Sequence, residues 1–131
     1  MKIGRSLSFL LVLTALAGTL PAAIPAVVSA ATTKKSAVPN RFGAIAYHRA
    51  SRSWGVSYDT ARARDAEVAA LKQCGQRECL VVHKFKNGCA ALASGPKAFA
   101  TSSGATRDEA ETKALLRCGQ GCAALAWGCT R

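Results

Sequence analysis

The sequence predicts an α+β fold in which two tandem ββαβ units form one sheet, with two helices packed on one face and disulfides stapling the whole. Three observations carry that expectation. The segment AEVAALKQCGQ at residues 66–76 returns as AETKALLRCGQ at 110–120, offset by 44, with seven of eleven positions identical; composition alone gives about one or two. Each copy spaces its apolar residues as a helix does and ends in Cys-Gly. Six cysteines in 131 residues supply a covalent framework in an oxidising compartment.

The elements follow in order. Lys2 and Arg5 precede an apolar run from Phe9 to Leu20, and Val28-Ser29-Ala30 places small residues at a cleavage position. That pattern reads as a secretory signal peptide over 1–30. The rival reading, an uncleaved membrane anchor, needs ~20 apolar residues in one run, and Pro21 and Pro25 interrupt this one. Residues 31–40, ATTKKSAVPN, are polar and form a flexible leader. A single duplicated domain then occupies 41–131, with no membrane span after signal cleavage.

Within that domain, Phe42–His48 and Ser53–Tyr58 read as strands joined by the short loop Arg49–Arg52. A helix from about Thr60 to Gln73 puts Ala66, Ala70, Leu71 and Cys74 on one face, and Gly75 stops it. Cys79–Lys86 is the third strand. Cys89–Ala93 and Ala98–Ser102 flank the turn Ser94-Gly-Pro-Lys97. Thr106-Arg-Asp-Glu109 is a capping box for the second helix, whose face is Ala110, Ala114, Leu115 and Cys118, with left-handed Gly119 as its stop. Cys122–Cys129 closes the chain as a strand. Alanine-rich faces let both helices approach a sheet closely.

Six cysteines permit 15 pairings. Cys74 and Cys118 end the helices, and Cys79 and Cys122 begin the strands that follow, so the repeat favours 74–79 and 118–122 as local staples. Cys89 and Cys129 remain and are expected to bind the two halves together. Crossed bridges such as 74–118 are the alternative that keeps the pseudo-symmetry. A zinc site is the weaker use of these residues: the spacings lack a Cys-x2-Cys knuckle, although His83 offers a further ligand. No metal or other cofactor is expected.

Gly43-Ala-Ile-Ala-Tyr47, the aromatic strand Trp54–Tyr58, the Ala66-Glu helix ending in Cys74-Gly, and Cys79-x-Val-Val-x-x-Phe-x-x-x-Cys89-Ala-Ala-Leu-Ala together resemble the domain of unknown function 4189. The resemblance runs from Arg41 to Cys129. It implies a bacterial source, a small exported protein and a site of action outside the cytoplasm. It brings no catalytic residues.

The residues themselves argue against catalysis. No Gly-x-Ser-x-Gly elbow, His-Glu-x-x-His or phosphate-binding glycine loop occurs. Asp59, Asp65 and Glu67 flank the start of one helix and Asp108, Glu109 and Glu111 the other, where the helix dipole favours them. His83 alternates with Val81 and Phe85 and reads as a hydrogen-bonded core residue; His48, beside Arg49, reads as exposed. Trp54, Val56 and Tyr58 share a strand face and read as core, like Trp127 in the last strand. Tyr47 or Trp54 becomes a contact residue if it stands exposed near Arg49 and Arg52.

The remaining signal is charge. Eighteen basic residues oppose seven acidic ones, for a net +11 and a pI near 9.9. Loss of Lys2 and Arg5 with the signal peptide lowers this to +9. Arg49, Arg52, Arg62 and Arg64, with Lys84 and Lys86 on one strand face, are the candidate partner-binding residues. The expected function is a secreted or periplasmic, monomeric, non-enzymatic interaction module that uses this basic surface against an anionic or protein partner. Export and the lack of a binding motif argue against nucleic acid. The alternative is an inhibitor or immunity protein of a secreted enzyme, inserting a loop such as Arg49–Arg52 or Ser94–Lys97.

Overall fold

The structure, a computed structural model, describes Gly18 and residues 37–131. The expected signal peptide and most of the leader lie outside the described residues; residues 37–40 are exposed and without regular structure. The chain divides into two units, Met1–Lys34 and Lys35–Arg131, and every element below lies in the second. In order these are β1 (Phe42–His48), β2 (Ser53–Thr60), α1 (Ala63–Cys74), β3 (Leu80–Lys86), β4 (Cys89–Ser94), β5 (Phe99–Gly104), α2 (Arg107–Cys118) and β6 (Ala123–Cys129).

The order is ββαβ twice, as expected, and the class is α+β. The single sheet is corrected: the strands form two three-stranded antiparallel sheets, β2-β1-β3 and β5-β4-β6. The helices do not share a face either. Ala44 and Ala46 of β1 pack with Ala66, Ala70 and Cys74 of α1, and Ala91 and Ala93 of β4 pack with Ala110, Ala114 and Cys118 of α2. The opposite faces meet in one cluster of Ile45, Tyr47, Val56, Phe85, Ala90, Leu92 and Ala126. Four layers result, with a helix outside each sheet.

The physical reason lies in the central strands. Along β1 and β4 successive side chains point to opposite faces, and both faces are apolar: alanine toward the helix, Ile45, Tyr47 or Leu92 on the other side. A single sheet with both helices on one side would leave those larger side chains in water. Burying each stabilises by roughly 1.5–3 kcal/mol, so the sheets close on one another.

The second helix has the Thr106 cap its sequence announces, and the reciprocal Glu109 bond falls one residue before the cap, on Ala105. Thr106 Oγ1 accepts the Glu109 N–H at 3.2 Å, and Glu109 Oε2 accepts the Ala105 N–H at 2.9 Å. The first helix begins three residues later than expected, at Ala63, because Thr60 ends β2 and its hydroxyl is bonded to the Phe42 and Arg62 carbonyls. Arg62 is its N-cap and provides no side-chain cap. Gly75 stops α1 in the left-handed region, whereas Gly119 stops α2 at φ 90° and ψ −160°, a region open essentially only to glycine.

All six cysteines are bonded, as Cys74–Cys79, Cys118–Cys122 and Cys89–Cys129. This is the set the repeat favoured, but the last bridge has a different task. Cys89 and Cys129 are paired neighbours on β4 and β6, so the bond lies inside the second sheet and does not join the halves. The halves are held by the shared apolar cluster and by polar contacts across it. Tyr47 Oη and Ser94 Oγ lie 2.6 Å apart in a buried hydrogen bond, and Asp59 Oδ1 accepts the Arg131 N–H at 2.8 Å.

Candidate functional site

The six basic candidates do not form one surface. Arg49 and Arg52 lie on the β1–β2 hairpin, at one end of β1. Arg62 and Arg64 flank the start of α1, and Lys84 and Lys86 lie beside Ala63 at the opposite end. The eight residues of β2 separate the two groups, a span of roughly 26 Å at ~3.3 Å per residue. Two of the distal four are matched by acids: Arg62 Nε lies 2.9 Å from Asp65 Oδ2, and Lys84 Nζ 3.5 Å from Glu67 Oε1.

The hairpin end is different. Arg49 Nη2 donates to the Lys97 carbonyl of the other hairpin, so both loops come together. Tyr47, Arg49, Ala50, Arg52, Gly95 and Pro96 line a cleft of about 430 Å³ between them. Among the described residues, Arg49, Arg52 and Lys97 have no carboxylate partner. Lys97 was not among the six basic candidates; the sequence offered it only as the end of the loop Ser94–Lys97 in the inhibitor reading.

Neither histidine is free. His48, expected exposed, is half-buried: its Nδ1 is 2.6 Å from Ser51 Oγ and its Nε2 3.3 Å from Glu78 Oε2. His83 is half-buried and reaches across to β5, with Nε2 2.6 Å from Ser103 Oγ and Nδ1 3.1 Å from Thr101 Oγ1. A register shift in the β1–β3 ladder separates it from Val81, so Val81 faces α1 while His83 faces the other sheet.

Burial, helped by the nearby Arg117 charge, holds the His83 imidazole below its ordinary value of 6.5. A histidine with a lowered folded-state value binds its proton more readily when unfolded. Stability from this group is therefore present above about pH 6.5 and is lost as pH falls toward the folded-state value. We expect His83→Gln to flatten the acid side of a profile of urea midpoint against pH; an unchanged profile would refute this origin.

The aromatic side chains overturn their core assignment. Trp54 is 39% exposed, Tyr58 57% and Trp127 44%; only Val56 of the β2 face is buried. With Asp59, Gln73, Gly128, Cys129 and Arg131 they line a groove of about 490 Å³ between β2 and β6. Arg107, bonded to Glu111 at 3.0 Å, lies 4.1 Å from the centre of the Trp127 ring. Sequence reasoning missed this site because nothing local tells that β2 and β6 become neighbours.

No group of three or more His, Cys, Asp or Glu among the described residues is placed to hold a metal ion. No described helix is long and apolar enough to cross a membrane.

Known proteins place this arrangement in context. Protein Rv1269c of Mycobacterium tuberculosis is 38% identical over 80 residues, covering 61% of this chain and 63% of the relative. Uncharacterized protein Rv1813c of the same organism is 35% identical over 88 residues, covering 67% of this chain and 59% of the relative. The chain thus spans less than two thirds of the length of these curated relatives. The NMR structure of Rv1813c is similar at a TM-score of 0.55 and 30% identity, over 68% of this chain and 74% of that one. The family model described as "Domain of unknown function (DUF4189)" matches residues 42–129, from the first residue of β1 to the last of β6, and the chain belongs to that family.

Proposed function

We propose that this protein is an exported, non-enzymatic interaction module that holds an anionic surface outside the cytoplasm through its hairpin end. One observation carries the reading: Arg49 and Arg52 line one cleft, Arg49 ties it to the hairpin that carries Lys97, and none of the three is in an ion pair among the described residues, while Glu78, which lines the adjoining cleft with Arg49, lies against His48. Three bonded cystines support an oxidising compartment, as does the N-terminal sequence pattern. Both histidines and most carboxylates are engaged in structural contacts, which supports binding over turnover.

The test is sedimentation of the exported, oxidised protein with phosphatidylglycerol vesicles and with phosphatidylcholine vesicles. Each basic residue near an anionic membrane is worth about 1 kcal/mol. The triple variant Arg49→Gln, Arg52→Gln, Lys97→Gln should therefore lose roughly 100-fold in affinity for the anionic vesicles. Arg62→Gln should lose far less, because Asp65 already offsets its charge. Binding should fade at high salt. Retention indifferent to vesicle charge and salt would overturn the proposal and favour the inhibitor reading, in which the paired hairpins enter an enzyme's cleft.

A further inference from the structure

We propose that the groove between β2 and β6 is a carbohydrate-binding site that stacks a pyranose unit against its aromatic walls. Both tryptophans of the chain and one of its two tyrosines line this one groove, and all three rings are substantially exposed. Exposed aromatic clusters on a small protein mark contact sites. The groove's size lies within the roughly 300–1,000 Å³ of small-ligand sites.

The polar groups beside the rings choose the ligand. Asp59 Oδ1 is held by the Arg131 N–H, and its Oδ2 accepts no hydrogen bond among the described contacts. Gln73 Oε1 accepts the Val56 N–H at 2.7 Å. That bond fixes the amide and leaves its NH2 as an oriented donor. A fixed acceptor and a fixed donor next to flat rings suit a molecule with an apolar face and hydroxyls around its edge. The C–H groups on one face of a pyranose meet the negative face of an aromatic ring, while its hydroxyls both donate and accept.

Other ligand classes fit less well. A purely apolar ligand would strip water from the Asp59 carboxylate without replacing it. An anion would meet that same carboxylate. Exposed aromatics with an acid also suit a quaternary ammonium, but its charge would meet Arg131, which lines the groove; with Arg107 over Trp127, the rings open to stacking are Trp54 and Tyr58. The charged residues of the hairpin end do not line this groove, so the two proposals stand or fall separately.

The experiment is a glycan array of hexose, N-acetylhexosamine and pentose oligomers probed with the oxidised protein, followed by titration of tryptophan fluorescence with the oligomers retained. At least one oligomer class should be retained and should shift the tryptophan emission. Trp54→Ala should weaken that binding at least tenfold, and Asp59→Asn, which keeps the shape of the residue, at least threefold. Both variants should keep the parent's far-ultraviolet circular dichroism. Retention of no glycan, or glycan binding that Asp59→Asn and Trp54→Ala leave unchanged, overturns the proposal. An emission shift with tetramethylammonium and none with sugars overturns it as well.

Discussion

Gly55→Ala is expected to destabilise the protein by about 3 kcal/mol, at the upper end of what overpacking a core costs. Gly55 lies on the face of β2 turned toward α1. A β-carbon there would stand 2.1 Å from the Ala70 carbonyl oxygen, 2.5 Å from the Cys74 nitrogen and 3.0 Å from Gln73 Cβ. Two of these are backbone atoms, so no rotamer change relieves the contact. The helix cannot retreat freely, since Cys74 is bonded to Cys79 ahead of β3 and Ser57 Oγ donates to the Ala66 carbonyl at 2.5 Å. In the second half the corresponding position is Ala100, beside α2. Ala100→Gly should cost only about 0.5–1 kcal/mol, the usual penalty for glycine in a strand. Urea midpoints at constant m-value would measure both; an unmoved midpoint for Gly55→Ala would show that α1 does not sit this close.

Removing the Cys89–Cys129 bridge, as Cys89→Ala with Cys129→Ala, should cost about 4 kcal/mol. The bond closes a loop with a sequence separation of 40, and the chain-entropy model assigns roughly that value to such a loop. The short bridge Cys118–Cys122, with a separation of 4, should be worth only about 2 kcal/mol on the same model. The location of the long bridge adds a second expectation. Because it lies within one sheet, its loss weakens the second half without releasing the first, and unfolding should remain a single calorimetric transition through the shared core. Two resolved transitions would mean that the bridge, and not the apolar seam, couples the halves.

How far the sequence could be read follows from what is local. The Thr106 cap, the alanine spacing of both helices and the cysteines at their ends depend on residues a few positions apart, and these elements lie within three residues of where the pattern puts them. The number of sheets depends on something else. In Ala44-Ile45-Ala46-Tyr47 and Ala91-Leu92-Ala93 the small and large residues alternate, so two differently shaped partners are needed, one per face. That alternation was present in the sequence, but apolar content alone does not separate it from a strand buried in a single sheet.

The site was less legible for the same kind of reason. Arg49 to Arg64 look clustered along the chain, yet an extended strand runs between them and carries them apart. Trp54, Tyr58 and Trp127 look like core because large aromatics usually are. Their exposure is set by how the β2 edge meets β6, a contact between the two halves.

The pairing also has an effect on the path by which the protein matures. Cys118–Cys122 is nested inside Cys89–Cys129. In a chain synthesised N-terminus first, Cys74 meets its proper mate at once, but Cys89 meets Cys118 and Cys122 before Cys129 emerges. Pairing by order of arrival yields a wrong bond, which thiol–disulfide exchange must then undo. Correct pairing therefore depends on α2 forming early enough to claim its own thiols, or on an isomerase.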